Sequence, residues 1–246
     1  MDYSDKITAY NKLVLDVKNC SKLYDCNKFG RIKLKKCDIC NEINLWTYWQ
    51  GGVDNLNAKI LLVGQDWGCV SKSSEQILNY IISREDFSGK SYMDNNTSKT
   101  DKNLCDLFLE IGYDVRNDNL QDLFFTNFVL CYREKGLSGC FKQRWANNCS
   151  SYFIRLVKII QPKVIICLGR SVYYSVMRTF EQKAVSDRYN NIIEKGEQTV
   201  CVDDFSVHIF PMAHCGVMGT NNRNKDANCN GLDLQNKDWK AIKKYL

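Results

Sequence analysis

Four short stretches of the chain are almost continuously apolar: "KILLVG" at 59–64, "LFFTNFV" at 123–129, "KVIICLG" at 163–169 and "VHIFPM" at 207–212. A strand with one face in water alternates apolar and polar residues, whereas a strand of a parallel sheet is covered on both faces and shows no alternation. The four runs therefore predict buried, parallel strands. Between them the spacing becomes helical. Leu104, Leu107, Phe108 and Ile111 fall at i, i+3, i+4 and i+7, a single stripe of a 3.6-residue period. "CSSYFIRLVKII" (149–160) runs into Gln161-Pro162, where a proline ends the helix just ahead of the third apolar run. An amphipathic segment near residues 4–19 precedes the first strand, and a segment containing Trp239 closes the chain. This alternation predicts a three-layer α/β/α fold with a central, mainly parallel four-stranded sheet. The polar, Asn- and Gly-rich stretches 84–103 and 215–231 are expected as loops. Nothing resembling a repeat or a Pro/Gly linker divides the chain. One domain over 1–246 is expected, with a cysteine-bearing N-terminal extension to about residue 57.

Composition narrows the class without deciding it. At 246 residues, 44% hydrophobic and 12% aromatic, the chain has apolar surface for a sizeable core. Its net charge of +6 suits a polyanionic partner but also occurs in proteins that touch no nucleic acid. The first residues lack the basic-then-apolar pattern of a secretory signal, and every apolar run falls short of the roughly 20 residues of a membrane helix. A cytoplasmic protein is the expectation. In that setting the thirteen cysteines point to metal ligation and buried thiols rather than a disulfide framework. Taken alone, Cys20, Cys26, Cys37 and Cys40 suit a structural zinc site, while Cys105 and Cys167, on an apolar helix face and in a strand, read as small core residues.

Candidate chemistry gathers where the apolar runs end. In open α/β sheets the ligand crevice lies beyond the carboxyl ends of the strands. The first run ends in Gly64 and is followed by Gln65, Asp66, Trp67 and Gly68. Asn127 stands near the end of the second, with Cys131, Tyr132 and Arg133 after it. His214 follows the fourth. An acid, an amide and an imidazole thus converge on one rim. For Asp66 the plain alternative is a turn or helix-capping carboxylate, and for Asn127 an ordinary strand-end amide. His208, in mid-strand, reads as a hydrogen-bonded structural group.

The set "VGQDWG", "FFTNFVLCYR", "IIQPKVIICLGR" and "IFPMAHCG" resembles the uracil-DNA glycosylase superfamily over roughly residues 37–220. Its closest likeness is to the iron-sulfur branch called family 4, with one departure: the acid stands third in the motif, as in the "GQDPY" of family 1, and Gln65 takes the place of the family 4 Glu. The resemblance implies a monofunctional DNA glycosylase acting on single- or double-stranded DNA as a monomer, with no membrane role. It also implies a four-iron four-sulfur cluster on Cys37, Cys40, Cys131 and Cys149; Cys140 could stand in for Cys131 or Cys149.

Roles follow residue by residue from the same resemblance. Asp66, with Gln65, would deliver and activate a water at the anomeric carbon, since a carboxylate serves both the proton and the positive charge that develops on the sugar. His214 would meet the negative charge that gathers on the departing pyrimidine's O2. Here Cys215-Gly216 follows it instead of the family's proline. Asn127 offers a donor and an acceptor to the O4 and N3–H edge of uracil or thymine. Tyr92 in "GKSYM" would stack on the flipped base, with Phe87 and Trp67 as competitors, and Gly64 lines the same pocket. Met218, Asn221 and Arg223 would supply a wedge and phosphate contacts. Gly68 stands where family 1 carries a tyrosine that blocks the space beside C5, which implies a pocket open to 5-substituted pyrimidines unless Tyr92 or Trp67 refills it. A glycosylase for modified pyrimidines, as a defence against phage DNA, is therefore the second reading. A cluster-bearing nucleic-acid-binding protein without hydrolysis is the third. A Schiff-base lyase would need a lysine at the rim, and none of the four strand ends offers one.

Overall fold

The computed structural model describes residues 1–36, 52–67, 99–115, 120–133, 141–183 and 186–246. Six strands form one sheet: β1 (Leu34–Lys35), β2 (Ile60–Trp67), β3 (Leu123–Arg133), β4 (Val164–Leu168), β5 (Gln198–Val202) and β6 (Phe205–Met212). Their order across the sheet is β1-β3-β2-β4-β6-β5. The inner four are parallel, and β1 and β5 add antiparallel edges. The four apolar runs are thus the four central strands. The edges escape the apolar pattern because β5 alternates half-exposed and buried positions and β1 is only two residues long.

Helices cover both faces. On one lie α1 (Tyr3–Lys18), α4 (Gln143–Ile160), α5 (Arg170–Thr179) and α6 (Tyr189–Lys195), whose Tyr10, Leu13, Phe153, Val157, Val172, Val176 and Ile192 pack against Leu61, Val63, Phe124, Ile165 and Ile209. On the other, Leu104, Leu107 and Phe108 of α3 (Lys99–Glu110) and Trp239 of α8 (Asp233–Lys240) meet Ile60, Leu62, Phe125, Ile166 and Phe210. The odd and even positions of each central strand serve opposite layers, which is why the runs show no polar face. The expected α3 stripe is buried throughout, and α4 ends at Gln161, with φ 56°, ahead of Pro162. The short helix α2 (Leu23–Asn27) and β1 form a third, smaller packing unit with Trp145 and Cys149 of α4 and Val129 of β3.

Lys6 ties α1 down. Its buried ammonium donates to the Leu56 and Ile160 carbonyls and to Asn57 Oδ1, at 3.0–3.1 Å, and desolvation lowers its pKa. Two expectations need correction. The stretch 215–231 contains the helix α7 (Val217–Asn224), which forms despite poor intrinsic propensity because Thr220 and Arg223 are buried against the domain. The stretch 84–103 overlaps the start of α3, and its earlier part lies outside the described residues. No described helix is long and apolar enough to cross a membrane.

Candidate active site

β2 and β3 continue side by side beyond the point where β4 stops. β4 pairs with β2 up to Val63↔Cys167 and ends at Leu168, whereas β2 stays paired with β3 to Trp67. Gln65, Asp66 and Trp67 are therefore strand residues, as are Cys131, Tyr132 and Arg133, all of which the apolar pattern placed after strand ends. The extension survives with polar residues because one flank of β2 faces the site instead of another strand. A register shift between Asp66 and Trp67 marks where the ladder becomes irregular.

Gly64 lies beside Asn127 in register, and the pair interlocks. A Cβ at position 64 would stand 2.0 Å from Asn127 Oδ1. The amide lies across the glycine's Cα, in the space that any side chain would take. Gly64 thereby holds the place of the pyrimidine-reading group expected of Asn127.

Two positions on, the Asp66 carboxylate is gripped from within the protein. Arg133 donates from Nε to Oδ1 at 2.9 Å and from Nη2 to Oδ2 at 2.7 Å, and Gln65 Nε2 donates to Oδ2 at 2.9 Å. The two charged side chains are 2% and 6% exposed. Such bidentate, charge-assisted pairs fix a carboxylate's plane as well as its position. Among the described residues three of its roughly four acceptor positions are filled, which leaves Oδ1 one for a water. The Arg133 guanidinium also lies over the Trp145 ring, 5.8 Å from its centroid, and the Arg133 backbone pairs with Leu34 of β1.

His214 follows β6 after Ala213. The Gly216 N–H donates to its Nδ1 at 2.9 Å, so Nδ1 is the acceptor and the ring proton sits on Nε2. Burial lowers its pKa from the ordinary 6.5. By surface area the residue is exposed, with Nδ1 engaged by the Gly216 N–H. Its loop is held by two buried amides. Asn103 Nδ2 donates to the Cys215 carbonyl at 2.7 Å, and Gln235 Nε2 to the carbonyls of Ala213 and His214 at 3.3 and 3.4 Å. The sequence reading missed both. The available signal was a polar residue at a core position, since Asn103 stands four before Leu107 and Gln235 four before Trp239. α7 crosses so closely that a Cβ at Gly219 would lie 2.1 Å from the His214 carbonyl oxygen.

β2 and β6 are separated by β4, so their backbones stand about 10 Å apart, two strand spacings. β4 ends below the rim and continues into Gly169, which has no side chain to fill the gap. Asn127 and Asp66 stand on the β3 and β2 side of this slot, and His214 follows β6 on the other. A model of the uracil DNA glycosylase superfamily matches residues 52–240. The chain belongs to this superfamily. Membership carries its general reaction class, that of a DNA glycosylase acting on uracil-like bases. No curated protein matches the chain.

The remaining site candidates of this superfamily member divide three ways. Met218 is 78% exposed at the start of α7, beside exposed Val217, and Asn221 is exposed on the same helix. Arg223 is not available to a phosphate in this arrangement: only 4% exposed, it forms two bonds to Asp238 and one to Glu194. Burying a guanidinium demands such carboxylate partners, and here they use its donors. Tyr92, Phe87, Gly68, Cys37, Cys40 and Cys140 lie outside the described residues, as does the side chain of Trp67. His208 bonds Thr199 Oγ1 on the neighbouring strand at 2.9 Å.

The thiols expected to hold a cluster are placed in part. Cys131 and Cys149 lie together, and Cys26 packs in the same unit. Burial pushes the Cys131 and Cys149 thiols up to about 12, helped by the charges of their sulfur neighbours, among which Cys20 and Cys26 act on both. Among the described residues no three His, Cys, Asp or Glu side chains are placed to hold a metal ion, and the expected ligands Cys37 and Cys40 lie outside them.

Proposed function

We propose that the chain is a monofunctional DNA glycosylase that hydrolyses the bond between sugar and base of a flipped-out uracil or related pyrimidine. What supports this reading is one observation: a carboxylate, a primary amide and an imidazole stand at the carboxyl ends of parallel strands of one sheet. In the reaction, Asn127 reads the pyrimidine edge. As the bond from C1′ to the base breaks, its electron pair passes into the base and gathers on O2, where the His214 Nε2–H donates. The Asp66 carboxylate offsets the positive charge that grows on the sugar, and its open Oδ1 position takes the proton of the water whose oxygen adds to C1′; that proton is then released to solvent, from which the departing base anion is protonated. Both groups interact more strongly with the transition state than with bound DNA. Met218 is the wedge and Asn221 a backbone contact of the strand from which the base is taken. As in the family 4 branch, Cys37, Cys40, Cys131 and Cys149 would hold an iron-sulfur cluster, whose contribution would be structural rather than chemical.

Oligonucleotides carrying uracil, thymine and 5-hydroxymethyl-type pyrimidines test the reading. Free base should be released, leaving an abasic site with no strand break until alkali is added. Absence of release from every base in single and double strands overturns the proposal. Release of a 5-substituted base would extend it to modified pyrimidines and support the open C5 side implied by Gly68.

A further inference from the structure

The net charge of the chain is concentrated in one short segment. Residues 22–36, which carry α2 and β1, hold six basic side chains, Lys22, Lys28, Arg31, Lys33, Lys35 and Lys36, against Asp25 alone. That surplus of five stands in a chain whose whole surplus is +6. Lys22, Lys33 and Lys36 donate to the carbonyls of Asn148, Asn27 and Lys18 at 3.3, 2.6 and 3.1 Å, and neutral acceptors leave those charges unbalanced. Lys28 and Arg31 are exposed. Like charges gathered in this way repel one another, and a polyanion laid over them relieves the repulsion.

An aromatic ring stands among these cations. Phe29 is 63% exposed, and Tyr24 on the same segment is 75% exposed. The Lys28 ammonium lies 5.6 Å from the Phe29 ring centroid and the Arg144 guanidinium 5.3 Å. Arg144 Nη2 also donates to the Phe29 carbonyl, so the residue is anchored at its backbone while most of its surface faces water. Arg144 Nε is buried and has no acceptor among the described residues. Unpaired bases stack on rings of this kind, and the cations beside the ring meet the phosphates. In a duplex both faces of a base are already covered by its neighbours, so only a single strand offers a free face.

The segment borders the candidate active site. β1 pairs with the last residues of β3, Leu34 with Arg133 and Lys35 with Tyr132, and Arg133 is the residue that grips Asp66. The first turn of α4 lies there too, since the Arg133 guanidinium stands over the Trp145 ring. In the sheet order β1 is two strands from β2, about 10 Å, which is the length of about three nucleotides of a stacked strand. Exposed Met218 on α7 follows β6, on the far flank of the slot. A strand crossing the slot toward β1 therefore meets Phe29 and its cations.

We propose that Phe29, with Lys28, Arg31 and Arg144 around it, is a stacking platform for a base of single-stranded DNA whose uracil or related pyrimidine occupies the slot, so that the chain holds single strands more tightly than duplexes. The inference deepens the reading of the chain as a DNA glycosylase and rests on that reading for its partner.

Fluorescence anisotropy tests it on the full chain with a labelled oligonucleotide free of uracil, as a single strand and as a blunt duplex, over a range of salt. The parent should hold the single strand more tightly. Phe29→Ala should weaken single-strand binding by about 5- to 150-fold and duplex binding by less than about twofold, with an unchanged melting curve, because the side chain is exposed. Phe29→Trp should restore the parent's affinity. Lys28→Ala/Arg31→Ala should lower the salt slope of single-strand binding by about 1.4, about 0.7 for each cation. On uracil-bearing single strands Phe29→Ala should raise KM far more than it changes kcat. A Phe29→Ala variant that binds the single strand as the parent does overturns the inference. So does one that weakens both forms equally, or a parent that prefers the duplex. Single-strand binding through Phe29 without release of any base would instead strike the glycosylase reading and leave the platform standing.

Discussion

Asp66 carries two burdens, and a substitution disturbs both. Asp66→Asn should slow single-turnover base release by roughly 100- to 10,000-fold, the range for a displaced acid–base group. It also leaves Arg133 buried without its charge partner, a loss of about 3–5 kcal/mol. Arg133→Gln should destabilise by a similar amount. The double variant Asp66→Asn/Arg133→Gln should regain much of that stability in denaturant unfolding while remaining as slow as Asp66→Asn. A double variant with parental rates would show that the carboxylate serves the fold alone. His214 makes a prediction about pH. Its folded pKa lies below the unfolded 6.5, so as pH falls through 6.5 the unfolded chain takes up a proton that the folded one refuses. Stability present above 6.5 is thus lost progressively down to the folded value, and His214→Ala should flatten that limb of a stability–pH curve. Much of this was legible in the sequence, because Gly64, Asp66, Asn127 and His214 all stand at the ends of apolar runs. The grip of Arg133 was not. It depends on β3 continuing four residues past its last predicted position, and a continuation through Leu130, Cys131, Tyr132 and Arg133 has no apolar pattern to announce it.

At the scale of elements, two glycines near the slot should behave differently, and the difference follows from what each would strike. Gly64→Ala meets the free end of a side chain, so the Asn127 amide can swing away at little cost to the fold. Thermal stability should change by no more than about 1 kcal/mol, while selectivity for uracil over cytosine falls. The check is the ratio of kcat/KM values for the two bases beside a melting curve. Gly219→Ala meets the backbone carbonyl of His214, which cannot move without taking α7 or the His214 loop with it. It should cost stability and base release together. The strand and helix pattern foretold the elements that carry these contacts, but not α7, whose Asn- and Gly-rich sequence reads as a loop. Buried Thr220 and Arg223 hold that helix, and burial of that kind belongs to the tertiary fold.

Across the whole molecule, the slot and the thiol pocket are joined through a short path: Asp66 to Arg133, Arg133 over Trp145, and Trp145 to the Cys26 carbonyl. Asn148→Ala removes the amide that donates to Cys26 Sγ and should slow alkylation of that thiol at neutral pH, read by mass spectrometry of labelled peptides. Release of base should be unchanged. The expected +6 charge and the exposed Met218 suit a molecule that settles on DNA first and searches for a base second. That the thiols come from both halves of the chain also has a consequence in time. Cys149 is added 123 residues after Cys26, so on a ribosome working at about 5–20 residues per second the early thiols wait on the order of 6–25 s for their partners. During that interval they are open to oxidants and to stray metal ions. The newborn chain is therefore most vulnerable while its N-terminal segment is already outside the ribosome and α4 is still to be made, and a brief oxidative pulse should damage nascent protein far more than mature protein.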